Sequence, residues 1–191
     1  MRSAAEGDAS RNLPYVMTIH TPRLLLRQWR ETDREPWAAM NADPEVMRHF
    51  PSTQTRAETD AAFDRISSGI AERGWGLWAV DLDGEFLGFT GLAVPRFDAH
   101  FTPATEIGWR FARHAWGNGY ATEAARAVLG YAFDELELSE VVSFTAVQNT
   151  PSRRVMERIG MTHDSADDFD HPNVPGDSPL LRHVLYRVSR P

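Results

Sequence analysis

The stretch Glu106-Ile-Gly-Trp-Arg-Phe111, followed by Trp116-Gly-Asn-Gly-Tyr-Ala-Thr-Glu-Ala124, sets a two-glycine turn between an alternating strand and an alanine-rich helix. In the strand, Ile107, Trp109 and Phe111 share one face, and Glu106, Gly108 and Arg110 share the other. In the helix, Ala121, Ala124, Ala125, Val128, Leu129, Ala132 and Phe133 form an apolar stripe running toward Leu136. Glycines at 117 and 119 let the backbone turn with its N–H groups bare. The helix behind them adds free N–H groups and the positive end of its dipole. The turn therefore reads either as an ordinary tight turn or as an anion site suited to a pyrophosphate. A P-loop would need Lys and then Ser or Thr after the glycines, where Tyr120 and Ala121 stand. The dinucleotide fingerprint would need a third glycine at the helix start, and none occurs there.

Elements with local signals extend on both sides. Leu24–Trp29 reads as a strand, and Thr32-Asp-Arg-Glu35 as a capping box opening a helix that carries Trp37 and Met40 and ends near Asp43-Pro44. A second box, Thr55-Arg-Ala-Glu58, opens a longer helix that Gly74 ends. Gly76–Asp81 and Phe86–Val94 flank Asp83-Gly84, a dipeptide suited to a type I′ hairpin turn. Beyond the central helix, Val141–Val147 is a β-rich buried strand. A short helix follows, with Thr150 as N-cap, Pro151 at N1 and Gly160 just past its end. Asp164–Pro179 reads as a long acidic loop and Leu181–Val188 as the last strand. The class is α/β. The hairpin implies antiparallel pairing in the first half, and strand–helix–strand in the second half implies one right-handed parallel crossover.

The 191 residues fit one domain, 18–191, after a disordered small-polar tail, 1–17, with Met17 as an expected natural start. An apolar fraction of 42% suffices for a core, and no run is long enough to span a membrane. No signal sequence is evident, and a cytoplasmic location is expected. The absence of cysteine excludes disulfides, thiolate metal sites and a cysteine nucleophile. The seven histidines show no metal-ligand spacing, so no metal is expected. A net charge of −7 argues against a nucleic-acid partner.

The motif block 106–124 resembles the acetyl-CoA-binding motif of the GNAT superfamily of N-acetyltransferases. Gln148-Asn-Thr-Pro-Ser-Arg-Arg-Val-Met-Glu-Arg-Ile-Gly-Met161 is similar to the Asn-x-x-Ser helix of the branch containing the ribosomal-protein N-terminal acetyltransferases. Thr21-Pro-Arg-Leu-Leu-Leu-Arg27 resembles that branch's first strand. The resemblance runs in order from about Thr21 to Val188. It implies a single GNAT-like domain with a mixed sheet whose central strands splay, and acetyl-CoA as co-substrate.

The resemblance also assigns residues. Backbone amides of Gly117, Asn118, Gly119, Tyr120 and Ala121, beside Trp116, would hold the cofactor pyrophosphate. Ile107, Trp109 and Phe111 would pair with the pantetheine arm. Asn149 would bond its amides, and Arg154 would reach the phosphates or stay solvated. The sequence departs from the family at His114, where many members have Gln or Arg. It departs again at Met156, where many have a tyrosine acid, which leaves Ser152 to meet the departing thiolate or to bond backbone.

An acyl thioester needs an uncharged amine, so a base must take a proton. Glu106 is the candidate; the competing reading is an ion pair with Arg110. A strand N–H near Gly108 or Trp109 would hold the oxyanion. Among the tryptophans, Trp37 and Trp78 are expected in the core, whereas Trp29 and Trp75 are candidates to line a cleft. Asp167, Asp168, Asp170 and His171, with Asp177, read either as a solvated loop or as a rim collecting a cationic amine. Three functions stay open: acetylation of a small cationic amine such as an aminoglycoside-type antibiotic, acetylation of a protein N-terminus, and a non-catalytic acyl-CoA-binding module. Homodimers are frequent in the family and are an expectation here.

Overall fold

The computed structural model describes residues 17–191. The tail expected at 1–17 lies, except for Met17, outside the described residues. Met17 itself is part of the ordered chain, because its carbonyl accepts the Trp78 indole N–H at 2.8 Å.

The described elements run β1 (Ile19–His20), β2 (Leu25–Arg27), α1 (Arg34–Ala42), α2 (Arg56–Arg73), β3 (Leu77–Leu82), β4 (Glu85–Ala93) and β5 (Glu106–Phe111). They continue with α3 (Tyr120–Asp134), β6 (Glu140–Ala146), α4 (Thr150–Arg158), β7 (Thr162–His163), β8 (Phe169–Asp170) and β9 (Arg182–Ser189). The strands form one mixed sheet in the order β1-β2-β3-β4-β5-β6-β9-β7, with β8 also on β9. Every pairing is antiparallel except β5 with β6, the two strands joined through α3.

Locally signalled features form as read. Thr55 and Glu58 cap α2 reciprocally, and Gly74 ends it at φ 80°. Asp83 and Gly84 both take positive φ, 52° and 92°, as a type I′ turn requires. The first capping box does not form. Asp33, inside the expected box, instead accepts from the Arg30 amide and from both Nη atoms of Arg27. Arg27 also donates through Nε to Asp81 at 2.8 Å, which makes a three-residue buried ion set. Asn149, rather than Thr150, caps α4, its side chain accepting from the Ser152 amide. The acidic loop carries one short strand, β8, and follows another, β7; both pair with β9.

Alternate strand residues divide between two faces. Trp78, Val80, Ile107, Val141 and Val184 pack with α3 and α4 in the largest core cluster. Ala79 and Phe89 face the other way, under Trp29 and Trp37, in a second cluster with α1 and α2. Val142 and Leu185 join Phe101 and Phe169 in a third. The second and third clusters lie on the same side of the sheet, and β5 runs between them.

Candidate functional site

The parallel seam is the local irregularity that opens the site. Strand β4 pairs with β5 through six residue pairs and β6 with β9 through seven, but β5 and β6 share only Glu106 with Val142. The Val142 amide donates to Thr105, and beyond that point the two strands part. The last bridge is a side chain: Ser143 Oγ donates to the Ile107 carbonyl at 2.9 Å. Thr105 and Ile107 thus turn their carbonyls toward β6. Because strand residues alternate sides, Trp109 turns its N–H and C=O into the open gap.

A cavity of about 770 Å³ occupies that gap. One end is lined by Gly117, Gly119, Tyr120 and Ala121. Gly117 and Gly119 sit at φ 79° and 81°, the left-handed region where a Cβ is strained. Gly119 is the N-cap of α3 and has no side chain to offer as an acceptor. None of the amides from Gly117 to Ala121 donates a hydrogen bond to a described residue; the first bonded amide of the helix start is Glu123 N–H, to Gly119. The one nearby carboxylate that could fill them, Glu123, is drawn aside by Thr21 Oγ1 at 2.7 Å and Arg23 Nε at 2.6 Å. Arg23 also donates to the Asn118 carbonyl, which braces the turn. The arrangement is an electropositive pocket of unsatisfied donors, chemically suited to phosphoryl oxygens.

Other expected residues meet in the same cavity. Ile107, Trp109, Phe111 and Trp116 line it, as do Asn149, Ser152 and Arg154 at the start of α4. The indole of Trp116 is fixed by its bond to the Phe111 carbonyl at 2.8 Å. Asn149 commits its Oδ1 to the Ser152 amide and one amide hydrogen to Thr145, which leaves one hydrogen for a ligand. The Ser152 hydroxyl bonds no described residue. Asn118 points elsewhere, its Nδ2 donating to the Ala115 and Trp116 carbonyls.

Glu106 also lines the cavity, and burial alone pushes its carboxyl up to about 7. The ion pair with Arg110 does not form. Arg110 instead donates to Asn41 Oδ1 at 2.7 Å and lies under the Phe50 ring, 4.2 Å from its centroid. With no cation beside it, Glu106 behaves as a desolvated acid poised near neutrality, which is the property a general base needs.

The expected acceptor residues are scattered. Trp29 is 5% exposed, packs edge-on against Trp37 and donates to the Leu77 carbonyl. Trp75 leans on the main core under Arg73. Neither lines the cavity. Asp167 is held by Arg187 and His100, Asp168 by His163, and Asp170 by Arg182. Two of the rim carboxylates, Asp167 and Asp170, thus have arginine partners within the chain. His171 does line the cavity, its ring tilted against those of Phe97, Phe144 and His183. Burial and the neighbouring His171 depress His183 to about 4, against a Leu181 hydrogen bond that raises it, so this wall is uncharged. The His49–Pro51 segment between α1 and α2 forms the opposite wall. Sequence reasoning missed that wall because the loop carries no motif.

The acetyltransferase (GNAT) domain model matches residues 23–162, most of the chain. The chain belongs to the GNAT acetyltransferase family. It is 37% identical over 153 residues to the FsC-acetyl coenzyme A-N(2)-transacetylase of Aspergillus fumigatus, covering 76% of this chain and 65% of that protein. A GNAT-family acetyltransferase from Bacillus anthracis superposes with a TM-score of 0.74 at 30% identity, over 91% of this chain and 99% of that one. The Mycobacterium smegmatis RimJ structure, in complex with CoA-disulfide, shares the fold with a TM-score of 0.73 at 20% identity, over 92% of this chain and 88% of that one. As a GNAT enzyme this protein is an acetyl-CoA-dependent N-acetyltransferase, and the free amides at the start of α3 fit a CoA pyrophosphate. Among the described residues no group of three potential ligands could hold a metal, and no helix is long and apolar enough to cross a membrane.

Proposed function

We propose that the enzyme acetylates a primary amine of a small acceptor by direct attack, with Glu106 as the base. The observation that carries this reading is the meeting, in one cavity, of the free amides 117–121, the isolated carboxyl of Glu106 and the unengaged hydroxyl of Ser152. Glu106 takes a proton from the incoming ammonium. The amine forms a C–N bond to the thioester carbonyl, and the Trp109 N–H is oriented to bond the developing oxyanion. As the C–S bond breaks, the nitrogen gives its second proton to the leaving thiolate, to which Ser152 donates a hydrogen bond, and the proton on Glu106 returns to solvent.

What supports a small acceptor over a polypeptide is the bulky lining of the cavity, with Arg110 packed on Phe50 at 4.2 Å and Phe144, His171 and His183 also facing in. Within the acidic loop, Asp167 and Asp170 are paired with Arg187 and Arg182, which weakens the pull on a cationic acceptor such as an aminoglycoside-type antibiotic. Free CoA release across a panel of small amines and short peptides tests the assignment. Turnover with small amines is expected; turnover confined to peptides would overturn it.

A further inference from the structure

On the acceptor side of β5, Glu106, Gly108 and Arg110 form a row on one face. A Cβ added at Gly108 would meet nothing within 4 Å, so open space lies over the strand between the acid and the guanidinium. Glu106 and Arg110 are four strand residues apart, about 13 Å between Cα atoms, less the reach of the arginine side chain.

Arg110 is largely buried, yet it has no carboxylate partner among the described residues. Its bond to Asn41 is the only hydrogen bond it makes to them, and its Nε is buried with no acceptor. The buried Arg27 is not left so: it has both Asp33 and Asp81. Desolvation draws Arg110 down to about 10, with no opposing charge to offset it. On the loop that lines the same cavity, both ring nitrogens of His49 are also buried, with no hydrogen-bond partner among the described residues. Burial and Arg48 lower the His49 pKa, so the ring offers a neutral donor and acceptor. A desolvated cation with no counter-charge and a buried imidazole with no hydrogen bond are both costly, and their coincidence in one cavity marks the place of a missing polar group.

We propose that Arg110 binds a carboxylate of the acceptor, whose body crosses Gly108 and whose amine reaches Glu106. The acceptor class is then an amino acid or an amino-acid-like zwitterion. A carboxylate suits this place better than a phosphate dianion: one cation balances one charge, and the guanidinium fork matches its planar pair of oxygens. This inference rests on the small-amine reading above.

Two measurements on the full chain test it. In the first, acetylation of 6-aminohexanoate is compared with that of hexylamine. At least a tenfold higher kcat/KM for the carboxylate is expected, falling to within threefold in Arg110→Gln while acetyl-CoA affinity stays unchanged. Equal rates in the wild type, or a preference that survives Arg110→Gln, would overturn the proposal. In the second, which needs no turnover, the Arg110 Nε–Hε resonance is followed with CoA present. Adding 6-acetamidohexanoate should move it, and the matching carboxamide should not. No movement, or equal movement with both, would likewise overturn it. Failure of any amine to release CoA would strike the small-amine reading instead, and the resonance measurement would still decide the role of Arg110.

Discussion

Ser143 Oγ donates to the Ile107 carbonyl at 2.9 Å, across the point where β5 and β6 stop pairing. A side chain thus satisfies a carbonyl that a continuous ladder would have used, and the strands can diverge without leaving that group orphaned. The cavity depends on this divergence. Ser143→Ala leaves the Ile107 carbonyl unsatisfied, and a loss of roughly 1–2 kcal/mol is expected. Urea unfolding of the two proteins checks it; an unchanged midpoint would show the bond to be dispensable.

Glu106 titrates near 7 because it is desolvated. As base it must be ionised, so kcat/KM should rise with pH to a plateau above about 7. Glu106→Gln should flatten that limb and lower the rate at neutral pH. The stability effect runs the other way. The native carboxyl binds protons between 4.5 and 7 that the unfolded one has released, so stability falls as pH rises through that window. Glu106→Gln should therefore be the more stable protein at pH 8, by at most about 3 kcal/mol, with the difference vanishing below pH 4.5. Rate–pH profiles and paired melts at pH 5 and 8 measure both signs.

Ser152 occupies the first turn of α4 with its hydroxyl unengaged and facing the cavity. Ser152→Ala should lower kcat about tenfold, near 1.4 kcal/mol of transition-state stabilisation, and leave acetyl-CoA affinity alone. A loss below threefold would make the serine a structural residue only.

Arg27 holds Asp33 and Asp81, all three side chains about 5% exposed or less. Arg27→Met strands two buried carboxylates, and a loss of about 3–5 kcal/mol is expected. Chemical denaturation checks the size. Asp33→Asn should recover part of it, because one stranded charge is then gone, while Asp81 keeps only the longer contact to Arg30 at 3.6 Å.

What the sequence disclosed was whatever is decided within a few residues. The Thr55–Glu58 cap, the Asp83-Gly84 hairpin turn and the glycine-led start of α3 are of this kind. The Thr32–Glu35 box failed because Asp33 accepts from Arg27 of β2, which Asp81 of β3 holds from the other side. Strands β7 and β8, two residues each, exist only by pairing with β9 and leave no periodic trace. Face parity correctly put Glu106 and Arg110 on one side of β5, but parity gives no distance. Asn41 and Phe50, brought over by the α1–α2 connection, take the guanidinium instead. The acidic run 164–170 looked unpaired for the same reason: Arg182 and Arg187 arrive from the last strand.

Backbone amide resonances of residues 117–121, followed during titration with CoA and separately with pantetheine, address the phosphate grip most directly. Large shifts of these five amides with CoA, and little change with pantetheine, which lacks the phosphates, are the predicted result. Five amides that stay still while CoA binds elsewhere on the protein would contradict it.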